Sequence, residues 1–380
     1  MSIFLTLISG KGGSGKTTIG LSIAKLLSKC EKKVLLVDCD MSTHGATYFF
    51  ESSLTNDAID HISTTKDFLE WTNCLHDKKI NPIKNASGID FIPSVKKILS
   101  DDNNLDVKFS YNTNVRLKNN YDLIILDCQA GYSKLTKDLI NISDICLFVL
   151  EADSVSASAM RVLYTQLSYA MSRNSLKSYQ IFNKLRDDEA VIYSDIKYGT
   201  FFTNLKPILF DWSVRKSFQE NMIPLINENN SSFTSDICCL TRNLFPTFKE
   251  EILEYEIRTK QYQLHDKTEE FKKIKQQITR PKLLKSLYII LALISLLMIA
   301  IMTLSYLNSV DIDKIKFIIF PSIILFVALV IEIPSYESMI SKQNSKKRIN
   351  ADSAYKEIES IKQEIELLKE NLSLSHKQSK

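Results

Sequence analysis

The sequence predicts an α/β domain with a mostly parallel, doubly wound sheet, followed by a helical C-terminal part. Three observations favour this fold class. Short apolar runs at 2–9, 34–39 and 121–127 are typical of buried strands, and two of them end in acidic residues. A glycine-rich loop joins the first run to a helical stretch at 19–30. Beyond Pro246 the apolar residues change to heptad spacing, so we expect the α/β domain to span 1–246.

The composition argues against several classes of protein. The 380 residues contain seven cysteines, an odd number without a CxxC pair, which argues against a disulfide framework or a thiolate metal site. Residues 1–246 carry 27 Lys+Arg and 27 Asp+Glu, so the formal charge of +4 lies entirely in 247–380. Because a neutral domain has no overall attraction for nucleic acid, we do not expect a nucleic-acid partner.

The glycine-rich loop at 10–18 fits the pattern G-x4-G-K-[ST] between a strand and a helix. Its backbone N–H groups and the helix N-terminus suit a phosphate group. Lys16 is expected to bridge the β- and γ-phosphates of ATP, and Thr17 to offer its hydroxyl to Mg²⁺. The predicted nucleotide-binding residues of this loop are Gly12, Gly13, Ser14, Gly15, Lys16, Thr17 and Thr18. This strand, loop and helix predict the core of a P-loop NTPase.

The loop sequence KGGSGKTT, with a second lysine at Lys11, resembles the deviant Walker A loop of the ParA/MinD family of dimerising ATPases. In that family the extra lysine reaches the phosphates of the nucleotide bound by the partner subunit. The resemblance therefore implies a homodimer that encloses ATP between its subunits, with Lys11 and Lys16 both catalytic. A lysine in that position would stabilise charge in the transition state, as an arginine finger does.

Acidic residues end two of the predicted strands, where ligands bind in open α/β sheets. Asp38 and Asp40 resemble the DxD motif of the same family, and Asp127 resembles its Walker B aspartate. By that resemblance Asp38 and Asp127 would hold Mg²⁺, through water, together with Thr17. Asp40 would orient the attacking water. Gln129 stands where the family commonly has proline, which is a departure in the loop.

Two further residues resemble the family's base-side positions. Asn183 follows a predicted strand and resembles the asparagine that reads adenine, and Asp211 lies in a segment similar to the last strand and nucleotide-side loop. For both residues a turn-forming or capping role is the alternative.

The C-terminal part contains two long uncharged runs. Residues 286–307 form a stretch of 22 residues without charge, about 33 Å as a helix, which is long enough to cross a hydrocarbon core of about 30 Å. A second run, extended to 317–334, contains Pro321. Lysines and arginines flank the pair, so the positive-inside rule predicts a hairpin over 282–336 in the cell inner membrane, with both termini in the cytoplasm. A re-entrant second segment is the alternative.

Heptad patterns flank this hairpin, in a helix over 247–281 and a C-terminal helix over 337–380. The first pattern has Lys260 and Lys267 at d positions and is the weaker one. The apolar positions are Ile257, Leu264, Phe271 and Ile278 in the first, and Ala351, Ala354, Ile358, Ile361, Ile365, Leu368 and Leu372 in the second. Either an intramolecular antiparallel pairing or an intermolecular coiled coil fits these patterns. Two solvated amphipathic helices are the remaining alternative.

Together these features predict a membrane-anchored ATPase switch that dimerises with ATP, hydrolyses it with Mg²⁺ and recruits an unidentified protein partner. Two alternatives remain open. A membrane protein like the bacterial tyrosine autokinases would share the loop, although only Tyr355 lies in the chain after residue 340. A non-enzymatic scaffold that binds ATP structurally would share the binding residues.

Overall fold

The computed structural model describes residues 2–51, 83–84, 88–94, 119–172, 175–186, 202–220, 222–224, 232–308 and 312–378. The chain divides into two compact units. The first comprises Met1–Glu256 with Asn371–Lys380, and the second comprises Ile257–Glu370.

The described residues of the first unit form one eight-stranded sheet in the order β3-β4-β2-β5-β1-β6-β7-β8. Among the strands that the structure describes, only the β3–β4 pair is antiparallel, so the predicted parallel α/β sheet of the P-loop NTPase type is confirmed. The strands are β1 (Ile3–Ile8), β2 (Val34–Cys39), β3 (Ile83–Lys84), β4 (Asp90–Ile92), β5 (Leu123–Cys128), β6 (Ile145–Leu150), β7 (Lys177–Phe182) and β8 (Thr203–Asn204).

Helices cover both faces of this sheet, because alternate side chains of each buried strand point to opposite sides. Leu5 and Leu7 of β1 pack in the core that includes α1 and α6, whereas Phe4 packs with α3 and Ile8 with α3 and α4. The helices of this unit are α1 (Lys16–Lys29), α2 (Gly45–Glu51), α3 (Lys134–Ile142), α4 (Ser154–Met171), α5 (Trp212–Gln219) and α6 (Ser232–Leu244). A 3-10 turn at Pro246–Phe248 follows α6 and leads into the next helix.

The side on which successive strands are added to the sheet changes at β1, because β2 and β4 lie on one side of it and β6, β7 and β8 on the other. This strand pairs with β5 on one side and with β6 on the other, and the chain leaves it directly into the glycine loop. In open α/β sheets the ligand binds outside the carboxyl ends of the strands at such a point. The fold therefore presents the glycine loop where a ligand is expected.

Two long helices carry the rest of the chain: α7 (Lys249–Asn308) and α8 (Ile312–Gln378). Within the second unit, ion pairs join Lys260 to Glu364 at 2.6 Å and Lys267 to Glu357 at 3.0 Å. As the residue number increases along α7, the number of the paired residue on α8 decreases. The two helices therefore run antiparallel inside one chain. Among the described side chains of α8 in this unit, the buried apolar ones are Ala354, Ile358, Ile361 and Ile365.

The two predicted membrane spans at 286–307 and 317–334 are not supported, and the predicted location is wrong. A span needs about 20 consecutive apolar residues, and none of the helices, as far as the structure describes them, combines sufficient length with sufficient apolar character to cross a bilayer. Side chains at 301–341, which include the second run, lie outside the described residues. We therefore withdraw the assignment to the cell inner membrane with cytoplasmic termini.

Candidate nucleotide-binding site

Three strands bring the predicted phosphate and metal residues to one edge of the sheet. Asp38 at the end of β2 and Asp127 at the end of β5 are register partners, and Leu7 of β1 is the neighbour of Asp127 on its other side. Parallel strands end on the same side, so the two carboxylates lie beside the loop that leaves β1.

The loop from Ser9 to Gly15 needs glycine at specific points. Gly13 and Gly15 have φ angles of 82° and 95°, in the left-handed region that favours glycine. At Gly15 a Cβ atom would also lie only 2.2 Å from the amide nitrogen of Asn183. Gly15 directly precedes Lys16, the first residue of α1, so the loop presents the free N–H groups of a helix N-terminus.

Lys16 lies inside this loop rather than in solvent. Its side chain is buried, and its Nζ donates a hydrogen bond to Ser9 Oγ at 2.8 Å. Ser9 Oγ in turn donates to the carbonyl of Lys11 at 2.9 Å. Sequence analysis did not identify Ser9, although its place between β1 and the loop was visible. The serine fixes the ammonium group under the loop.

Thr17 and Asp127 form the second contact of the site. The Thr17 hydroxyl donates to Asp127 Oδ2 at 2.7 Å. Burial, and then the charge of Asp38, raise the pKa of Asp127 from 3.8 to about 7. The other oxygen, Oδ1, is buried without a hydrogen-bond partner among the described residues. A buried carboxylate oxygen without a donor is suited to a cation or to water bound to a cation.

Asp38 is fully buried and accepts three hydrogen bonds. Its Oδ1 accepts from the Asp40 N–H at 3.0 Å, and its Oδ2 accepts from the Thr47 N–H and hydroxyl at 2.8 and 2.7 Å. Burial raises its pKa, although the bonds from Thr47 and Asp40 oppose that shift. Thr47 was not identified from the sequence. The three hydrogen bonds from Asp40 and Thr47 hold the Asp38 carboxylate in one orientation.

Asp40 is fixed by the turn that follows it. Its Oδ1 accepts from the Ser42 N–H and hydroxyl and from the Thr43 N–H, and its Oδ2 accepts from the Thr43 hydroxyl at 2.6 Å. Burial alone would raise the pKa of Asp40, but these hydrogen bonds outweigh it and the pKa is lowered. The group is therefore an ionised acceptor at neutral pH.

Lys11 makes ion pairs within its own chain. Its Nζ lies 3.2 Å from Glu151 Oε2 and 3.2 Å from Asp153 Oδ2. Hydrogen bonds to Asp153 and then to Glu151 raise its pKa. Lys184 joins the same group, with Nζ 2.6 Å from Glu151 Oε1 and a hydrogen bond to the Gly13 carbonyl. Glu151, Asp153 and Lys184 lie 33 to 171 residues from their partners, so local sequence patterns do not indicate these contacts.

Asn183 and Asp211 occupy different positions relative to the loop. The Asn183 side-chain amide donates to the Ser14 carbonyl at 2.8 Å and is buried against the loop. Asp211 is the N-cap of α5, where its Oδ1 accepts from the Ser213 N–H at 2.8 Å. Its Oδ2 also accepts from the Ser232 hydroxyl and the Phe233 N–H, and its backbone carbonyl accepts from the Val214 N–H. The structure brings Asn183 to the phosphate loop and gives Asp211 the capping contacts.

The donor set suits a magnesium ion that keeps water and phosphate ligands. In the described part of the chain no cluster of three or more His, Cys, Asp or Glu side chains forms a protein cage for a metal. Nucleotide-binding sites do not need such a cage, because Mg²⁺ is usually held there by one or two protein oxygens, waters and substrate phosphates. Thr17 Oγ1 and the unpartnered Asp127 Oδ1 are oxygens of this kind.

The chain is similar in sequence to a protein family and to several known proteins. Residues 3–179 match the family model described as an AAA domain. The chain is 29% identical over 133 residues to the septum site-determining protein MinD of Synechocystis, covering 34% of this chain and 46% of that protein. It is 25% identical over 240 residues to an uncharacterised ATP-binding protein of Methanocaldococcus jannaschii, covering 61% and 84% of the two chains.

A solved structure agrees with the fold. The MinD cell division protein of Aquifex aeolicus superposes with a TM-score of 0.51 and 21% identity, over 64% of this chain and 97% of that chain. The matches span about half the length of the first two curated relatives. The match to the family model, over residues 3–179, lies within the first unit.

Proposed function

We propose that the N-terminal part of this chain is a P-loop ATPase domain of the ParA/MinD family, a proposal that its similarity to the AAA-domain family model and to MinD supports. We further propose that the protein is an ATP-dependent dimerising switch that hydrolyses ATP. The observation that carries this proposal is the convergence of Lys16, Thr17 and Asp127 at the carboxyl ends of β1 and β5. A glycine loop alone binds phosphate, whereas this set also supplies groups for cleavage.

The loop binds the nucleotide by charge and by directed N–H groups. Backbone N–H groups of Gly12, Gly13 and Gly15, with those at the start of α1, bind the phosphate oxygens. Ser14, Thr17 and Thr18 lie in the same segment. Lys16 is held by Ser9 near the loop and neutralises charge between the β- and γ-phosphates. Asn183, which lies against Ser14, orients the base side of the nucleotide.

Asp40 has the contacts expected of a residue that orients water. Four hydrogen bonds from Ser42 and Thr43 fix its carboxylate and keep it ionised. An ionised, fixed acceptor can hold a water molecule in line with the γ-phosphate and accept its proton. We assign this role to Asp40.

The buried carboxylates would hold Mg²⁺. Thr17 would bind it directly, and Asp38 and Asp127 would bind it through water. Bound there, the ion would neutralise charge on the β- and γ-phosphate oxygens. The unpartnered Asp127 Oδ1 and the three donors that fix Asp38 support this assignment.

Lys11 supplies the proposed link between subunits. It is partly exposed at the mouth of the loop, where two partly buried carboxylates of its own chain hold it. In a face-to-face dimer the same ammonium group can exchange these carboxylates for the phosphates of the partner's nucleotide, which adds positive charge where negative charge develops. ATP would then join two copies of this chain.

We also propose that the paired helices α7 and α8 form a coiled-coil arm that binds a protein partner. The antiparallel ion pairs Lys260–Glu364 and Lys267–Glu357, and the buried isoleucines of α8, support a stable arm within one chain.

Nucleotide binding and turnover by the full chain test the proposal. Wild type should bind ATP and release phosphate in the presence of Mg²⁺, and Lys16→Ala should lose both. Lys29→Ala removes the same side chain from the other end of α1 and is the matched control, with wild-type behaviour expected. If wild type neither binds nor hydrolyses ATP above the level of Lys16→Ala, the proposal is wrong. Binding without any hydrolysis would instead support a scaffold.

A further inference from the structure

A chain of buried polar side chains lies behind the carboxylate of Asp38. Thr47, Ser94 and His44 are all at most 9% exposed. Thr47 Oγ1 lies 2.7 Å from Asp38 Oδ2 and 3.1 Å from Ser94 Oγ, and Ser94 Oγ lies 2.5 Å from His44 Nδ1. These four residues come from three segments: the end of β2, the start of α2 and the segment after β4.

The number of hydrogens on each side chain determines which atom donates in each of these hydrogen bonds. The Asp38 carboxylate only accepts, so the single hydroxyl hydrogen of Thr47 is used on it. Thr47 Oγ1 accepts the Ser94 N–H at 2.9 Å. Its second lone pair must then accept from Ser94 Oγ, which uses the single hydroxyl hydrogen of Ser94. Ser94 Oγ can consequently only accept from His44, which places a hydrogen on Nδ1. Every bond therefore donates toward Asp38.

The backbone of His44 is built into the same turn. Its φ of 51° lies in the left-handed region, which asparagine, aspartate and histidine adopt more readily than other side chains. The His44 N–H donates to the Asp40 carbonyl at 3.1 Å, and the Asp40 N–H donates to Asp38 Oδ1 at 3.0 Å. His44 is thus linked to Asp38 through the side chains of Ser94 and Thr47, and it contacts Asp40 directly through the backbone.

We propose that His44 is a positioning residue for the metal-binding carboxylate of Asp38, acting through Ser94 and Thr47. Its donated hydrogen orders the Ser94 and Thr47 hydroxyls, and the Thr47 hydroxyl fixes Asp38 Oδ2. The free lone pairs of Asp38 then keep one direction, toward the side where Asp127 lies in register. The proposal rests on the function proposed above, because it assumes that Asp38 holds the metal.

The test measures metal affinity apart from turnover. Mn²⁺ replaces Mg²⁺ as the probe, and the free ion is followed by electron paramagnetic resonance during titration of the full chain with saturating ADP. Asn at position 44 tolerates the left-handed backbone and keeps an N–H donor at the δ position, whereas Gly tolerates the backbone and has no donor. Ser28→Ala, which loses a hydroxyl that bonds the Gly88 carbonyl, is the matched control for Ser94→Ala.

We expect Thr47→Val to weaken Mn²⁺ binding by about tenfold, as is common for groups that orient a metal ligand. Ser94→Ala and His44→Gly should weaken it by about threefold, since they act one and two bonds further away. His44→Asn and Ser28→Ala should match wild type. ADP affinity in EDTA should be the same in all variants, which separates a metal effect from misfolding.

Two results would overturn the inference. If Ser94→Ala and His44→Gly bind Mn²⁺ like wild type while Thr47→Val does not, the chain ends at Thr47 and His44 has no positioning role. If His44→Asn is as weak as His44→Gly, the donated hydrogen is not what matters. Failure of the wild-type protein to bind Mn²⁺ with ADP would instead refute the proposed function itself, and the inference with it.

Discussion

Lys11 and Glu151 form an ion pair of 3.2 Å within one chain, at the mouth of the glycine loop. Asp153 holds the same ammonium group at the same distance. The lysine that we assign to the partner's nucleotide therefore has local partners that it must exchange. Partly exposed pairs of this kind are worth about 0–1 kcal/mol, so the exchange costs little.

Removing one of these local partners should favour the dimer. Glu151→Gln leaves Lys11 with Asp153 alone, so we expect half-maximal dimerisation at an ATP concentration about two- to fivefold lower, the equivalent of one weak ion pair. Light scattering during ATP titration measures this. Glu366→Gln, which alters an exposed pair on α8, is the control and should behave as wild type. Loss of dimerisation in Glu151→Gln would show that Glu151 belongs to the interface itself.

Asp127 should make the protein without bound metal less stable at high pH. Burial, then the charge of Asp38, raise its pKa in the folded protein to about 7, whereas the unfolded chain titrates near 3.8. Between these values the folded state holds the extra proton, so the free energy of unfolding falls as pH rises through this window. The melting temperature of Asp127→Asn relative to that of wild type should therefore be higher at pH 8 than at pH 5, with both proteins measured in EDTA. Parallel curves for the two proteins would contradict the assigned pKa.

Asp40→Asn should separate binding from hydrolysis. The amide keeps the size of the side chain and one oxygen for the three donors that now bind Oδ1, whereas the Thr43 hydroxyl loses its acceptor at Oδ2. The amide also no longer accepts a proton. We expect phosphate release to slow by about 10²-fold or more, with ATP affinity near wild type and a dimer that persists after ATP is added. Phosphate-release assays and light scattering measure the two effects. Turnover within twofold of wild type would remove Asp40 from the mechanism.

The helical arm should depend on its buried isoleucines. Ile361 is 4% exposed and Ile349 is 67% exposed on the same helix. Ile361→Ala should destabilise the arm by about 2–4 kcal/mol because it leaves a cavity, whereas Ile349→Ala should change stability by less than about 0.5 kcal/mol. Urea unfolding followed by circular dichroism gives both values. Equal effects would mean that the two helices do not pack as described.

The sequence predicted the features that depend on local spacing. Apolar runs that end in Asp38 and Asp127 became neighbouring parallel strands, and the glycine spacing predicted a loop between β1 and α1. Long-range contacts were not predictable in this way. In the sequence Ser9 is an ordinary serine at the end of a strand. Its contact with Lys16 forms only when the folded loop brings the two side chains together.

The C-terminal part shows where sequence patterns were misleading. Lysines at the d positions 260 and 267 suggested a weak seam, but each forms an ion pair with the opposite helix, at Glu364 and Glu357. Long side chains at a helix seam can reach its edge and keep their charge in water. The uncharged run at 286–307 predicted a membrane span from length alone, and the helices, over their described residues, do not bear out a span.

The mass of the full chain in solution tests the central claim most directly. We predict that sedimentation or light scattering will give a monomer without nucleotide and a dimer with ATP and Mg²⁺ for wild type. Lys11→Ala should bind ATP with similar affinity and remain a monomer, because its loop and Lys16 are intact while the lysine for the partner's phosphates is missing. A wild-type protein whose mass does not change with ATP, or a Lys11→Ala variant that dimerises as well as wild type, would contradict the account.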